Sequence, residues 1–441
     1  MNTIKRFFLS RVTILWFIGL ALATITLAAL IPQSFITPAA ELEKWRLAHP
    51  LLSHWSTLLR LNRMYTHPFF AVIMSGVVIS LSFSAWDQFR GAWRRTCGQR
   101  ALGAATHLHT TAEFEEVIRI FRSHRYISLG GDGVSKGFVR SPWGFWGNFL
   151  LHFGLVVTIA SSLLIALTQQ RAILSLGQGQ TQQPGMPWTA HEEGLLVGPL
   201  DLPAAVRLDR LNYSFWPTYG VKDVASTITF MPADSPAETV TVPINSILRY
   251  RGLRIYQGIE FGHAFYVEMI SPEGRREVVQ LLMQHQDTPE KPSYNDFSDL
   301  MGAGRMLRAK YFADAEGKSF ERIDPLLVLR VDEGGKEIGR LSLRRGSEGD
   351  IGGYHFRLVT YGLWSRLILV KLTGIPGVFF GFFIICLGGL LHYFTPPREA
   401  LIKPITGGGT EVFWQATKFA DFYSDEFEEI KRSLNAEEMH G

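Results

Sequence analysis

The chain has 441 residues, of which 46% are hydrophobic and 19% are charged, and its formal net charge is +4. This length predicts more than one folding unit. The mild positive charge comes from scattered lysine and arginine and does not indicate a nucleic-acid-binding surface. The two cysteines form neither a CxxC nor a CxxCH motif, which excludes a thioredoxin-type dithiol and a covalent haem-attachment site on this chain.

Four apolar runs are long enough to cross a bilayer as helices, which takes about 20 mostly apolar residues. They cover residues 12–32, 69–86, 145–167 and 377–394. The first run ends in Ile31-Pro32-Gln33, which is a poor signal-peptidase site, so we expect a retained anchor and not a cleaved signal peptide.

Lysine and arginine near the ends of these runs predict the orientation, because cytoplasmic flanks are enriched in both residues. They cluster at the N-terminus and after the second and fourth runs, and include Lys5, Arg6, Arg11, Arg90, Arg94, Arg95, Arg100, Arg398 and Lys403. We therefore expect both termini in the cytoplasm and residues 168–375 on the outer, periplasmic side of a bacterial inner membrane.

The predicted fold class is a membrane α-helical protein with about four transmembrane helices and a large extracytoplasmic all-β domain. The predicted divisions are 1–86 (first transmembrane pair with a short outer loop), 87–144 (cytoplasmic loop with a small α/β element), 145–167 (third transmembrane helix), 168–375 (extracytoplasmic β-rich domain), 376–395 (fourth transmembrane helix) and 396–441 (cytoplasmic amphipathic tail). The tail is expected to lie along the membrane or a partner, or simply to solubilise the chain.

Two local signals fall within the cytoplasmic loop. Thr110 and Glu113 resemble a capping box for a helix running through Arg122. A glycine-rich turn between two short strand-like runs predicts a hairpin, with Gly130, Gly131 and Gly133 in the turn.

The outer region has the pattern of β structure. Short β-branched or aromatic runs alternate with Gly, Pro, Asp and Asn, and they cover 226–230, 239–244, 253–257, 264–270, 326–331 and 354–361. An antiparallel sandwich or a barrel-like domain is the predicted result.

The sequence offers no sound case for an enzyme, and we expect a non-catalytic subunit. It lacks a GxSxG elbow, an HExxH motif and a phosphate-binding glycine loop. His263, His285 and His355 are isolated in the outer region and are interpreted as surface or hydrogen-bonded core residues.

His152 is the most informative residue. It lies about seven residues into the third apolar run, within the apolar zone. Ionisable groups at that depth usually face a cavity or a partner, and neutral imidazole is a common axial ligand of haem iron. A structural hydrogen bond to a neighbouring helix is the alternative.

Three other residues are weaker candidates for contact with haem. His392 lies near the cytoplasmic end of the fourth run and could approach the depth of His152, although an interfacial histidine is usually just hydrated. His67 begins the second run beside Pro68, where haem-binding and structural roles are both open. Cys97 lies among arginines, which favour a thiolate, but an inert exposed thiol is the simpler interpretation.

The order of these elements resembles the ResB family, also called CcsB, of system II cytochrome c biogenesis. The segments that carry the resemblance are ALIPQ, LLRLNRMYTHPFFAVIMSGVVISLSFSAW, WGFWGNFLLHFGLVVTIASSLL, VPINSILRYRGLRIYQGIEFG and IPGVFFGFFIICLGGLLHYFTPPRE. The similarity is weakest in 172–225, in 270–350 and after 404. Its specificity comes from the order and spacing of the segments, since no single one is diagnostic.

The resemblance implies that the chain moves haem b across the membrane and presents it, reduced, to apocytochrome c. In this family a histidine of the third span binds haem transiently, and its position matches His152 through the H-x-G-L run. Arg140 or Arg90 could meet the haem propionates, although the topology signal explains both arginines equally well.

The resemblance also implies partners. The tryptophan-rich signature of the CcsA-type membrane partner is absent from this chain, so a separate CcsA-type protein is expected. Because the chain has no CxxC motif, thiol-disulfide reductants would have to reduce the apocytochrome cysteines.

Two other functions stay open. A membrane electron-transfer subunit, passing electrons from quinol to an outer multihaem cytochrome, would need paired histidines for at least two haems, and only His152 is convincing. A structural or sensory module would instead bind a partner through its outer β domain without haem.

Overall fold

The structure is a computed structural model and divides into two compact units. It describes all residues except 1, 36, 38, 98–104, 132–133, 298–299, 303, 317–319, 321–323, 407, 436 and 439–441. Met1–Thr168 with Thr373–Gly441 form the first unit, called the helical unit below, and Gln169–Leu372 form the second, called the β unit.

The α-helices belong to the helical unit. They are α1 (Asn2–Phe8), α2 (Arg11–Leu30), α3 (Ala39–Ala48), α4 (Pro50–Leu58), α5 (Pro68–Thr96), α6 (Phe114–Ser123), α7 (Gly144–Thr168), α8 (Ile375–Phe394) and α9 (Ser424–Ser433). Short 3₁₀ helices cover Leu61–Thr66, Leu300–Gly302 and Ala420–Tyr423.

Strands occur in both units. The helical unit contains β1 (Thr106–Thr110), β2 (Ile127–Gly131) and β3 (Lys136–Arg140). The β unit contains β4 (Gln170–Gly177), β5 (Thr181–Gln182), β6 (Ala190–Glu193), β7 (Ala205–Phe215), β8 (Val221–Met231), β9 (Glu238–Pro243), β10 (Leu248–Tyr250), β11 (Leu253–Ile270), β12 (Arg276–Gln284), β13 (Ser293–Phe297), β14 (Met306–Phe312), β15 (Leu326–Glu333), β16 (Lys336–Leu343), β17 (Glu348–Ile351) and β18 (Tyr354–Lys371). The helical unit then continues with β19 (Arg398–Pro404), β20 (Thr410–Ala416) and β21 (Glu437–Glu438).

Four helical segments of the described chain are long and apolar enough to span a membrane, as predicted. They are Arg11–Leu30, Pro50–Thr96, Gly144–Thr168 and Ile375–Phe394. The predicted second run ended at residue 86, whereas α5 continues to Thr96. The difference arises because the apolar pattern marks the membrane span, while the polar residues that follow are good helix formers and continue the same helix.

Helices α7 and α8 pack in antiparallel orientation at very short distance, because glycines lie where their backbones meet. A Cβ atom added at Gly154 would lie 2.8 Å from the carbonyl oxygen of Gly381. One added at Gly388 would lie 2.6 Å from the backbone nitrogen of Leu151. Small residues at a helix interface permit this approach, and backbone atoms cannot move aside as a flexible side chain could.

The strands of the helical unit form one six-stranded sheet in the order β2-β3-β19-β20-β1-β21, with antiparallel neighbours. Helices α6 and α9 cover one face of this sheet. The shared core includes Leu108, Phe121, Phe138, Val412 and Ile430, which are all fully or almost fully buried. This sheet with its two helices is called the α/β layer below.

The α/β layer corrects the predicted division of the chain. Residues 396–441 were expected to be an amphipathic tail separate from the loop 87–144. Instead β19 and β20 lie between β3 and β1 in the sheet, and the apolar face of α9 packs into the common core. The pairing joins segments far apart in sequence, which a local hydrophobic pattern cannot detect.

The local signals in the loop 87–144 had different outcomes. The hairpin is confirmed, because β2 pairs with β3 with Ile127 opposite Val139. The capping box is wrong: α6 begins after Glu113, which makes no side-chain capping bond. Thr110 ends β1 instead, and its hydroxyl donates to the carbonyl oxygen of Leu434 at 2.5 Å. Gly133 and Arg100, which the sequence interpretation also used, lie outside the described residues.

The β unit is built from antiparallel sheets, in agreement with the β-rich prediction. A seven-stranded sheet has the path β10-β11-β18-β4-β6, with β12 beside β11 and β17 beside β18. Two four-stranded sheets have the orders β13-β14-β15-β16 and β5-β7-β8-β9. The predicted runs at 253–257 and 264–270 are parts of one strand, β11, whose pairing with β18 shifts register between Gln257 and Phe261.

The two long strands β11 and β18 contribute to two separate cores. Phe265 and Phe356 pack with residues of the β13–β16 sheet. Ile255 and Leu369, towards the other ends of the same strands, pack with residues of the β5-β7-β8-β9 sheet. The register shift in β11 lies between these two regions and bends the strand from one core to the other.

We predict that Gly388→Ala destabilises the full chain by about 1–3 kcal/mol, because the new methyl group forces the α7 and α8 backbones apart. Thermal unfolding in detergent measures the effect. Gly19→Ala in α2 is the matched control, since a Cβ there meets nothing within 4 Å. Equal midpoints for the two variants would contradict the close-packing argument.

Candidate functional site

His152 lies on α7 and is partly buried. Its ring nitrogen Nδ1 is 2.9 Å from the carbonyl oxygen of Asn148, one helical turn earlier. Because a carbonyl oxygen can only accept a hydrogen bond, Nδ1 carries the proton in the neutral ring and Nε2 keeps a lone pair. Within the described residues, no group is hydrogen-bonded to Nε2. This is the tautomer that a metal-binding histidine needs, with the second nitrogen fixed by a backbone carbonyl.

His67 has the opposite arrangement. It is the N-cap residue of α5, and its Nδ1 accepts a hydrogen bond from the backbone N–H of Phe69 at 3.1 Å. The neutral ring must therefore carry its proton on Nε2, which leaves no free lone pair. The bond satisfies one of the unpaired N–H groups at the helix start, so the arrangement favours the structural alternative for this residue.

His392 lies on α8, in close contact with the first turn of α7. A Cβ atom at Gly147 would lie 2.6 Å from the backbone nitrogen of His392. The ammonium group of Lys418 lies 3.1 Å from Nδ1 of the His392 ring and also contacts its Nε2. Because an ammonium group can only donate, it engages the lone pair that a metal would require. The structure thus pairs His392 with Lys418.

A cleft of about 200 Å³ opens where α5 ends, α7 begins and α8 ends. Its polar lining comprises Gln88, Arg95, Asn148, His392, Thr417 and Lys418. In the part of the chain that the structure describes, no carboxylate lines it. Burial, and then the charge of Arg95, lower the pKa of Lys418 from its ordinary value. We call this site the cationic cleft, because the basic side chains Arg95 and Lys418 line it and, among the described residues, no carboxylate does.

The arginines considered from sequence for propionate contact do not line the cationic cleft. Arg140 forms an ion pair with Glu426 at 3.2 Å in the α/β layer. The Arg90 guanidinium lies over the ring of Trp86, 5.1 Å from its centre. Arg95, noted from sequence only as a topology signal, does line it.

Four polar lining residues were missed by the sequence interpretation, namely Gln88, Asn148, Thr417 and Lys418. Asn148 had a usable signal, because a polar residue four positions before His152 in an apolar run lies on the same helix face. Lys418 had none, since only the pairing of β20 into the α/β layer brings Lys418, two residues after that strand, close to α8.

An apolar groove of about 360 Å³ runs between α5 and α7. Aromatic rings form most of its walls, with the Phe89 and Phe149 centres 5.3 Å apart and Phe149 stacked on Phe153 at 5.6 Å. None of the described residues that line the groove has a titratable side chain. The groove therefore differs from the cationic cleft, whose lining is polar.

A sequence model of the ResB-like family matches residues 10–340 of this chain. The chain belongs to the ResB-like family. That family is linked to cytochrome c biogenesis. Membership of this family, together with the four apolar helices, indicates that the chain is a membrane protein. No curated protein matches the chain.

The matched part of this ResB-like chain includes His67, Cys97 and His152. It ends before α8, so His392 and Lys418 lie beyond it. Cys97 follows the last residue of α5 and is an exposed free thiol. It does not line the cationic cleft, and the residues that follow it, 98–104, lie outside the described part of the chain.

Two histidines of the β unit, isolated in sequence, are neighbours in space. His285 packs among aromatic rings, with the Phe215 and Phe320 centres each 4.5 Å away, and its Nε2 is buried without a partner among the described residues. The Nδ1 of His263 is hydrogen-bonded to the hydroxyl of Tyr311. Their interpretation as core residues fits this packing. His355, by contrast, lies near the surface, with Nδ1 2.9 Å from Asp350.

Burial determines the protonation of this pair. It lowers the pKa of His263 from 6.5 to about 4, with a further contribution from the charge of His285. Burial also lowers the pKa of His285 to about 4, against a small opposing effect of Asp287. Both rings are therefore neutral in the folded chain at neutral pH.

We predict that the β unit loses stability as the pH falls from 6.5 towards 4. In this range the unfolded chain binds protons at both histidines while the folded chain does not, so protonation favours unfolding. The loss at pH 4 is on the order of 3 kcal/mol for each histidine, or about 6 kcal/mol for the pair. Denaturant unfolding of the full chain between pH 7.5 and pH 4 measures it.

The variant His285→Phe should remove about half of this pH dependence, because a phenyl ring fits the aromatic surroundings and does not titrate, while His263 still does. His191→Gln, at an exposed histidine of the same unit, is the control and should retain the wild-type pH dependence. An unchanged slope in His285→Phe would show that other groups cause the acid sensitivity.

Proposed function

We propose that this chain is a haem-handling subunit of cytochrome c biogenesis that receives haem b at His152 as transient cargo. With a tryptophan-rich CcsA-type partner, it carries haem across the membrane and presents it to apocytochrome c. The observation that supports this role is the His152 imidazole, whose Nδ1 is fixed by Asn148 while Nε2 keeps its lone pair. Haem iron accepts such a nitrogen as an axial ligand.

The proposal requires a partner because one histidine is not enough. A low-spin haem iron takes two axial ligands, and among the described residues of α2, α5, α7 and α8 one imidazole, that of His152, keeps a free lone pair. The His392 ring is engaged by Lys418, and His67 caps α5. The second ligand would therefore come from the CcsA-type protein.

The proposed setting is the bacterial inner membrane, with both termini in the cytoplasm and the β unit on the periplasmic side. The distribution of lysine and arginine supports this orientation. Cys97 and Cys386 are free thiols on separate helical segments and form no CxxC pair, so we assign reduction of the apocytochrome to separate thiol-disulfide proteins.

The alternative of an electron-transfer subunit has less support. Electron transfer from quinol to an outer multihaem cytochrome would need at least two haems and paired histidine ligands within the bundle. His152 and His392 are the histidines within α2, α5, α7 and α8, and the second is engaged by an ammonium group. One available imidazole fits a relay that shares its haem with a partner.

We predict that His152→Ala abolishes haem capture when the chain is co-expressed with a CcsA-type partner. The haem absorbance of the purified complex and the yield of holocytochrome c should each fall at least about tenfold, as is usual when metal coordination is disturbed. Both quantities are measured by absorbance spectroscopy, with the amount of assembled complex as the reference.

His67→Asn is the matched control, because asparagine is a good N-cap residue and keeps the start of α5 intact. It should retain haem and cytochrome maturation. A His152→Ala complex that assembles, keeps its haem spectrum and matures cytochrome c at the wild-type level would refute the proposed function.

A further inference from the structure

We propose that the cationic cleft binds the carboxylates of the haem, with Arg95 and Lys418 as the groups that pair with the two propionates. This inference rests on the proposed function and adds to it an anion-binding subsite at the polar end of the bundle. It assigns the orientation of the cargo, with the propionates in the cleft and the iron towards His152.

The charge balance of the cleft is the first argument. Two other cations of the helical unit have partners: Lys5 contacts Asp87, and Arg398 lies 3.3 Å from Glu426. Arg95 and Lys418 form no ion pair within the described residues. Lys418 is partly buried and Arg95 is exposed, and the two like charges lie at the same cleft. An anion between them would relieve this repulsion, and a carboxylate forms short charge-assisted hydrogen bonds with both groups.

The placement of Asn148 is the second argument. It lines the cleft and also accepts the hydrogen bond of His152 through its carbonyl oxygen. The two residues lie on one face of α7, about 6 Å apart along the helix axis. Haem is flat, with iron at its centre and two propionates on one edge. The iron would face the His152 imidazole, and the propionates would face the cations of the cleft, one helical turn away.

Uncharged donors in the cleft are consistent with the same ligand. The hydroxyl oxygen of Thr417 lines the cleft region, is buried and has no hydrogen-bond partner among the described residues. The side-chain amides of Gln88 and Asn148 add further N–H groups. Unpaired buried polar atoms are unusual, and a carboxylate oxygen would satisfy a hydroxyl at this position.

His392 then has a positioning role. Its ring accepts a hydrogen bond from the Lys418 ammonium group and so fixes the position of that group at the cleft. The iron-ligand role considered from sequence is therefore replaced by one in which His392 orients a cation. His392→Ala should weaken the recognition of the propionates while leaving iron coordination by His152 intact.

Titration of the purified complex with haemin and with haemin dimethyl ester tests the inference. The ester has the same ring and iron but lacks both negative charges. Wild type should prefer haemin by about tenfold or more, because hydrogen bonds between charged groups are the strong ones. The double variant Arg95→Gln/Lys418→Gln should bind both forms with the affinity that the wild type shows for the ester.

Two matched variants control the experiment. Arg90→Gln removes an arginine from the same helix that does not line the cleft, and it should keep the wild-type preference. Arg95→Lys/Lys418→Arg conserves both charges and should also keep it, which separates loss of charge from a folding defect.

The outcomes separate this inference from the proposed function. Equal binding of haemin and its ester by wild type, with both lost in His152→Ala, would overturn the propionate site and leave haem binding at His152 intact. If Arg90→Gln also lost the preference for haemin over its ester, the propionate site would be overturned, because the overall positive charge of the helix end would then explain the preference.

The same titration in nanodiscs of phosphatidylcholine, with or without phosphatidylglycerol, distinguishes a lipid site. If phosphatidylglycerol removes the preference in wild type, the cleft binds a lipid phosphate and the inference fails. If the preference persists in both membranes, the propionate assignment stands.

Discussion

The backbone contact between α7 and α8 is the constraint on which the rest of the helical unit depends. Glycines at Gly147, Gly154, Gly381 and Gly388 let two main chains approach where any side chain would collide with backbone atoms. This approach brings His392 beside the start of α7, and the chain that leaves α8 then enters the α/β layer and returns Lys418 to the helix ends. The glycines at the α7–α8 contact therefore determine which polar side chains meet at this end of the bundle.

The three histidines considered as haem ligands differ in what their ring nitrogens contact. A carbonyl oxygen next to His152, a backbone N–H next to His67 and an ammonium group next to His392 impose three different states on the same side chain. From their positions in the apolar runs, His152 was the strongest candidate haem ligand, and His67 and His392 were weaker ones. Hydrogen-bond polarity explains why these residues are not equivalent as metal ligands.

Much of the architecture could be predicted from the sequence, because short stretches of sequence are enough to indicate apolar spans and strands. About twenty apolar residues in a row identify a span, and the β-branched or aromatic runs identified strands β8, β9, β11, β15 and β18 of the β unit. The failures in the sheets involve distance along the chain. Neither the insertion of β19 and β20 between β3 and β1, nor the neighbouring positions of His263 and His285, leaves a periodic signal. Thr110 was misread as a helix cap because its true partner, Leu434, lies in the last part of the chain.

The order of strands in the α/β layer has a consequence for how the protein is made. The middle of that sheet, β19 and β20, is translated after everything else in it except β21. Until the ribosome has released those residues, β1 lacks its neighbour β20 and the hairpin of β2 and β3 has an open edge at β3. The layer, and with it Lys418, is thus completed only when α8 has already been synthesised, so a chain interrupted before α8 cannot assemble the site at the helix ends.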